Sequence, residues 1–185
     1  MDKTFEPEAW SRWLMRLWRH QWQSERAAQH AVPDALAAQL ARRVHASEGR
    51  HTGQVCLCVE GALPLQDVWR AGRHAPLDEV VRQRAMRWFG RLRVWDTEHN
   101  NGVLIYLQLT ERRIEIVADR GLQRCADAQD WQAVVDGLAA QLKAEQFEAG
   151  LTQALEEVSA LLVAHFPRTA DETVPNELPN TVVRV

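Results

Sequence analysis

The sequence has little cysteine, no long apolar run and no excess of basic residues, and each absence excludes a class of protein. Only three of the 185 residues are cysteines, an odd number that favours a reducing compartment over a disulfide-linked fold. No window approaches eighteen uninterrupted apolar residues, and the N-terminus has no signal-peptide core or cleavage site. The net charge of −3 gives no general attraction to nucleic acid. We therefore expect a cytoplasmic protein with no nucleic-acid partner.

Familiar catalytic motifs are missing as well. The chain contains no GxSxG, P-loop, HExxH or dinucleotide-binding fingerprint. Its length and its 46% of hydrophobic residues suit one well-buried core rather than two. Any function must therefore be read from less specific clusters of polar side chains.

Tryptophan is concentrated at the N-terminus. Between Glu8 and Gln29 the apolar residues recur every three or four positions, which predicts an amphipathic helix; they are Trp10, Trp13, Leu14, Leu17, Trp18 and Trp22. Arginines but no acids accompany them between residues 9 and 24. Residues 1–31 are predicted to form an extension whose segment 10–22 contacts the protein's own core, a protein partner or the anionic inner face of a membrane.

The rest of the chain alternates predicted helices and strands. Helices are predicted from Pro33 to Gly49, Pro76 to Leu92, Asp127 to Phe147 and Gly150 to His165, and strands over 53–59, 103–109 and 113–119. A helical crossover joins the first two strands in parallel, and the short TERR connection makes the last two an antiparallel hairpin. We predict an α/β fold, a three-layer α/β/α sandwich with a small mixed sheet, over residues 32–167. Residues 168–185 are expected to be a disordered tail, unless TVVRV adds a strand to a sheet edge.

The hairpin predicts which polar segments meet. With Glu111 and Arg112 at the centre of the turn, Leu109 pairs with Ile114 and Leu104 pairs with Asp119. In the same register Val103 lies opposite Arg120 and Gly102 lies opposite Gly121, subject to a one-residue bulge. The segments EHNNG and DRG are therefore expected at one end of the sheet.

Oxygen-bearing side chains are dense at that end. Asp96, Glu98, Asn100 and Asn101 are joined there by Asp119, and this hard-oxygen set suits Ca²⁺ or Mg²⁺ better than zinc. Three further residues are predicted as outer neighbours of the ion: Gln54, Asp127 and Asp130. The alternative interpretation is that Asn-Asn-Gly is ordinary turn chemistry.

Other candidate sites have simpler explanations. Cys56 and Cys58 point the same way on a strand, but no second Cys or His pair has zinc-site spacing, so core thiols are favoured. Cys125 lacks an identifiable base. The basic stripe Arg84, Arg87 and Arg91 is interpreted as a solvated face rather than a phosphate or nucleic-acid site, and His99 as an exposed histidine rather than a proton carrier.

The block NNGVLIYLQLTERRIEIVADRGL, followed by Trp131, Phe147, Gly150 and HFP at 165–167, resembles the TPM domain family. The resemblance covers about Val32 to Pro167 and implies an α/β/α sandwich. It also implies the divalent-cation binding of some members and the phosphatase activity attributed to a plant lumenal member that acts in photosystem II repair.

The family's conserved motifs fall on the same two segments. Its Asp/Asn-Asn-Gly motif maps onto Asn100, Asn101 and Gly102, and its aspartate turn onto Asp119 to Gly121. Relatives often have Glu where this chain has Gln54, and many have Asp where it has Asn100. Both replacements remove a negative charge, which predicts weaker cation binding.

Two functional hypotheses follow from the residues and the resemblance. In the first, a cation-assisted phosphatase, Asp96, Asn100, Asn101 and Asp119 hold the ion and Arg120 steadies the phosphoryl group of a phosphorylated substrate. Asp119 and Arg120 are then the candidate catalytic residues. The second hypothesis is a non-catalytic interaction module that uses the N-terminal helix at a membrane surface or on a protein partner.

Overall fold

The computed structural model describes residues 25–169 and 178–185 of the chain. Seven helices are described: α1 (Glu25–Ala31), α2 (Asp34–Glu48), α3 (Leu65–Arg73), α4 (Leu77–Arg91), α5 (Arg120–Gln123), α6 (Ala128–Lys143) and α7 (Phe147–His165). The described strands are β1 (Gln54–Glu60), β2 (Gly102–Gln108), β3 (Arg113–Ala118) and β4 (Val182–Arg184). Most of the predicted N-terminal helix, including residues 10–22, lies outside the described residues.

The four strands form one mixed sheet in the order β3-β2-β1-β4. β1 and β2 run parallel, with Gln54 opposite Gly102 and Glu60 opposite Gln108. β2 and β3 form the antiparallel hairpin. β1 and β2 are buried along their whole lengths, as expected of strands covered on both faces. The predicted α/β class and small mixed sheet are confirmed.

Helices cover both faces of this sheet. Alternate residues of the strands point to opposite faces: Val55, Leu57, Val103 and Ile105 enter one core with α1, α2, α6 and α7. Cys56, Cys58, Leu104 and Tyr106 enter the other core with α3 and α4. The result is three layers, helices on sheet on helices. The two strand cysteines are buried free thiols, and burial raises the pKa of Cys56 to about 12.

The register of the hairpin differs from the prediction. Leu107, rather than Leu109, pairs with Ile114, and Val103 pairs with Ala118 rather than Arg120. The reason is a longer turn: the strands stop at Gln108 and resume at Arg113, and Arg112 in the turn has φ 53°. A shift of two residues keeps every side chain on its predicted face, so the two polar segments still meet.

Two described helices were absent from the prediction: α3 and the four-residue α5. α3 begins directly after Pro64, in a stretch interpreted as a loop. Its spacing of Leu65, Val68 and Trp69 is helical, and proline is compatible with a helix start. A helix of nine residues leaves only a short periodic pattern in the sequence, and the proline was given more weight than that pattern.

The C-terminal residues 178–185 are ordered, contrary to the expected disordered tail. β4 pairs in parallel with β1, with Cys58 opposite Val183. Arg184 donates a hydrogen bond to the carbonyl of Val32 at 3.0 Å and pairs with Asp34 at 2.7 Å. The alternative expectation, that TVVRV adds a strand to a sheet edge, describes this segment correctly.

The basic stripe of α4 is not a purely solvated face. Arg84 is largely buried and donates to both carboxylate oxygens of Glu60, at 2.5 to 3.1 Å. Arg87 donates to Asp67 at 2.7 Å. These pairs fix α4 and α3 to the end of β1. Within the described ranges, no helix combines the length and the apolar character needed to cross a bilayer.

Candidate functional site

The predicted site lies where β1 and β2 begin. The parallel pair places Gln54 beside Gly102, and the hairpin returns the chain to this end at Asp119, whose N–H donates to the carbonyl of Gly102 at 2.9 Å. Three chain segments therefore converge: the start of β1, the polar loop (residues 96–101) and the turn after β3.

The polar loop is shaped by its own backbone. Thr97 is buried, and its hydroxyl accepts a hydrogen bond from the N–H of Asn101 at 3.1 Å. The N–H of Asn100 donates to the carbonyl of Thr97, also at 3.1 Å, and Asn100 has φ 53°. Asparagine tolerates this left-handed conformation better than most residues. Asn100 is therefore a turn residue, and its role as a ligand stays a prediction.

Gly121 brings the turn after β3 into close contact with the polar loop. Its N–H donates to the carbonyl of Asn100 at 2.9 Å. A Cβ at this position would lie 2.6 Å from the oxygen of Asn100 and 2.7 Å from that of His99. Only glycine allows two backbones to approach this closely, which accounts for the glycine of the DRG sequence in physical terms.

Two buried oxygens at this end have no hydrogen-bond partner. Asn101 is fully buried; its Nδ2 donates to the hydroxyl of Thr52 at 3.0 Å, and its Oδ1 is unpartnered. Asp119 caps α5 by accepting from the N–H of Arg120 at 2.7 Å through Oδ1, and its Oδ2 is unpartnered. Buried acceptors without a donor are costly. Both oxygens are suited to a cation or an ordered donor.

The other predicted ligands have different surroundings. Asp96 is exposed and forms an ion pair with Arg93 at 2.5 Å, while Glu98, Asn100 and Arg120 are exposed. Gln54 is buried, and its Oε1 accepts from the N–H of Leu178 at 3.4 Å. The structure therefore places Asn101 and Asp119 at the end of the sheet where β1 begins, and leaves the remaining loop acids at the surface.

Asp127 and Asp130 serve the start of α6. The N–H of Asp127 donates to Asp130 Oδ2 at 3.2 Å, and the two residues form a capping box. This arrangement gives both acids a structural role. Their proposed role as outer neighbours of an ion stays a prediction.

His51 is a buried residue of this end that the sequence analysis missed. Its Nδ1 lies 3.0 Å from the carbonyl of Gly53, and its Nε2 is buried without a partner. Burial lowers the pKa of His51 to about 4, and the charge of Arg50 acts in the same direction. A histidine just before an apolar strand was the available signal, but its burial depends on contacts with the chain near Pro167.

The low pKa of His51 predicts a pH-dependent stability. Its folded-state pKa of about 4 lies below the ordinary value of 6.5, so the unfolded chain binds more protons between these two values. The contribution of neutral His51 to the free energy of unfolding is therefore complete above pH 6.5. It is lost as the pH decreases toward 4, by up to about 3 kcal/mol. Urea unfolding of wild type and His51→Gln from pH 4 to 7 measures this, because other groups cancel in the difference. Parallel stability profiles would show that His51 does not titrate as described.

The site offers few ligands for a metal ion. Among residues 25–169 and 178–185, no group of three or more His, Cys, Asp or Glu side chains is arranged to hold one. The unpartnered oxygens of Asn101 and Asp119 are of the kind that suits a hard cation, but even together they would supply only two of the six to eight oxygens that Ca²⁺ takes. The remaining positions would belong to water, which is typical of a weak, open site.

Comparison with known proteins gives one family-model match and a structural match. The family model described as the TPM domain matches residues 37–161. The NMR structure of the BA42 protein from the psychrophilic bacterium Bizionia argentinensis superimposes with a TM-score of 0.67 at 23% identity, covering 82% of this chain and 94% of that one. This likeness concerns the fold alone. A search of curated proteins finds no match to the sequence.

Proposed function

Because the chain belongs to the TPM domain family, we propose that it binds a divalent cation, Ca²⁺ or Mg²⁺, beside Asn101 and Asp119 and hydrolyses phosphate monoesters there. The observation that carries the proposal is the pair of buried, unpartnered oxygens, Asn101 Oδ1 and Asp119 Oδ2. A cation that coordinates these oxygens would remove the energetic cost of leaving buried acceptors without a partner.

Each residue has a distinct part in the proposed reaction. A bound divalent cation would polarise a phosphoryl oxygen and lower the pKa of a coordinated water. Asp119 supplies the negative charge of the site, and the hydrogen bond from the N–H of Arg120 to Oδ1 at 2.7 Å holds its carboxylate in place. The exposed side chain of Arg120 is next to it in the chain and is proposed to stabilise the charge on the transferred phosphoryl group. In the proposed hydrolysis, the water oxygen would bond to phosphorus as the bond from phosphorus to the alcohol oxygen breaks, and one proton of the water would leave with the alcohol.

Asp119→Asn is expected to abolish most cation binding. Asparagine keeps an oxygen to cap α5, but it replaces the unpartnered oxygen with an NH₂ group and removes the charge. We expect wild-type dissociation constants of about 10⁻⁴ to 10⁻³ M, as for weakly charged calcium sites, and at least a roughly tenfold increase in the variant. Calorimetric titration with Ca²⁺ and with Mg²⁺ measures both.

The matched control is Asp136→Asn, an exposed acid on α6 whose carboxylate accepts from Gln132. It should bind the cations as wild type does. If both variants resemble wild type, Asp119 is not a ligand. A phosphate-ester assay with each cation then separates two functions: binding and hydrolysis that are both lost in Asp119→Asn support the phosphatase, and binding without hydrolysis in wild type indicates a non-catalytic module.

The predictions about partners are separate from this site. Contact of residues 10–22 with a membrane surface or a protein lies outside the described residues, and a cytoplasmic location stays a prediction. The non-catalytic alternative has one structural observation in its favour. Asp96, a predicted ligand, is paired with Arg93 at 2.5 Å, so the charge available for catalysis is smaller than the sequence suggested.

A further inference from the structure

The segment 178–185, here called the strap, lies along the outer edge of β1. Its N-terminal end is held by Gln54, whose Oε1 accepts from the N–H of Leu178, and Leu178 is buried in the core beneath α3 and α4. Its C-terminal end is held by backbone pairing: the N–H of Val185 donates to the carbonyl of Val59, and the N–H of Gly61 donates to the carbonyl of Val185. Asn180 lies between these two anchors.

Asn180 contacts Glu48 at the end of α2. Its Nδ2 donates to Glu48 Oε2 at 2.9 Å. The other carboxylate oxygen of Glu48, Oε1, and the amide oxygen of Asn180, Oδ1, are buried and have no partner. An ionised carboxylate is an acceptor only, so these two oxygens cannot bond to each other while Glu48 is charged. A proton on Oε1 would allow it to donate to Oδ1, and the acid and the amide would then share two antiparallel hydrogen bonds.

The surroundings of Glu48 favour the protonated form of its carboxyl group. Burial raises the pKa of Glu48 to about 7, against smaller opposite effects from Asn180 and from the N–H of Val55. The cation of the strap, Arg184, is engaged by Asp34 at 2.7 Å at the far end of α2. Arg50, just after α2, donates to the hydroxyl of Ser159 at 3.0 Å. His45, one turn before Glu48, has its Nδ1 3.2 Å from Asn180 Nδ2 and serves as a second acceptor when neutral.

We propose that the Glu48–Asn180 pair is a proton-dependent lock on the strap: protonated Glu48 holds the strap closed, and loss of its proton to solvent opens it. Opening would uncover the edge of β1 and the side chain of Gln54, which lies at the start of β1 beside the candidate site. Access to that end of the sheet would then depend on pH.

The direction of the pH effect follows from the raised pKa. In the closed state Glu48 binds its proton up to about pH 7, whereas in an opened, solvated state it would titrate near its ordinary value of 4.5. Closure is therefore most favourable below pH 4.5 and weakens as the pH rises to 7. Across that interval the equilibrium constant for opening should increase by roughly tenfold per pH unit.

NMR of the full chain between pH 5 and 9 tests the proposal. In wild type, the Glu48 carboxyl carbon, the Asn180 side-chain NH₂ and the Val185 amide should titrate together with one midpoint between 4.5 and 7, and the strap should gain mobility as the pH rises through that midpoint. Glu48→Gln, which mimics the protonated acid with an amide N–H, should keep the strap closed throughout. Asn180→Ala should leave it open throughout.

Two results would overturn the proposal. A Glu48 carboxyl that is already ionised at pH 5 in wild type removes the acid–amide pair, and this measurement needs no variant to fold. Strap signals that still titrate with the wild-type midpoint in Glu48→Gln would assign the transition to another group, with His45→Gln as the next variant to compare.

Discussion

Gly102→Ala is expected to lower the free energy of unfolding by about 3 kcal/mol, because the added methyl group would overlap a buried backbone carbonyl. An ideal Cβ at this position lies 1.9 Å from the oxygen of Val94 and 3.0 Å from its carbonyl carbon. Neither backbone can move freely. Gly102 accepts from the N–H of Asp119 at 2.9 Å, and the buried Val94 donates to the carbonyl of Phe89 at 3.0 Å.

Gly90→Ala is the matched control for this substitution. Gly90 lies in α4, and a Cβ there meets nothing within 4 Å, so alanine should stabilise the protein by about 0.5 to 1 kcal/mol through helix propensity. Denaturant unfolding of the two variants measures the contrast. Similar stabilities would mean that the segment before β2 yields easily to the added methyl, and that the polar loop after Val94 is less rigidly placed than its contacts indicate.

The meeting of the polar loop with Asp119 was predictable because it depends on local rules. Alternation along β3 and a short turn define an antiparallel hairpin, and the face of each side chain survives a register error of two residues. The polar loop and the DRG segment therefore meet whether Ile114 pairs with Leu109, as predicted, or with Leu107, as observed. Glycine at 121 supports the same prediction, since it stands where the backbones of the two segments approach each other closely.

Features that depend on distant contacts were not predictable in the same way. The strap was interpreted as disordered because its composition offers little to bury. Its order comes from the uncovered edge of β1 and from Glu48 and Gln54, which lie more than a hundred residues away in sequence.

The hydrogen-bond network around Glu60 is another feature that could not be predicted from the sequence, because it depends on contacts between distant residues. Glu60 ends β1, and Arg84 looked like one member of a solvated stripe. In the folded protein the carboxylate of Glu60 accepts from Arg84, from Trp88 Nε1 at 3.2 Å and from the hydroxyl of Tyr106 at 2.5 Å. Periodicity predicts which face of α4 is apolar, but it does not predict that a neighbouring arginine is drawn into the core by a buried acid.

Glu60→Ala is expected to cost about 3 to 5 kcal/mol of stability, the range found when one partner of a buried ion pair is removed. The substitution leaves the guanidinium of Arg84, which is 17% exposed, with Asp67 at 3.9 Å as its nearest described counter-charge. It also removes the acceptor of Trp88 and of Tyr106. Burial and then the charge of Glu60 raise the pKa of Tyr106, so that pKa should fall in the variant.

Glu156→Ala makes the same chemical change at a surface ion pair. Glu156 lies 3.3 Å from Arg43, and the two side chains are 65% and 44% exposed, so its removal should cost less than about 1 kcal/mol. Guanidinium unfolding of both variants gives the difference, and ultraviolet titration of Tyr106, the single tyrosine, gives an independent signal. A large loss of stability in Glu60→Ala with an unchanged tyrosine titration would attribute the loss to Arg84 alone. Comparable small losses in the two variants would show that the Glu60 network is solvated, and that apolar packing holds α4 on the sheet without it.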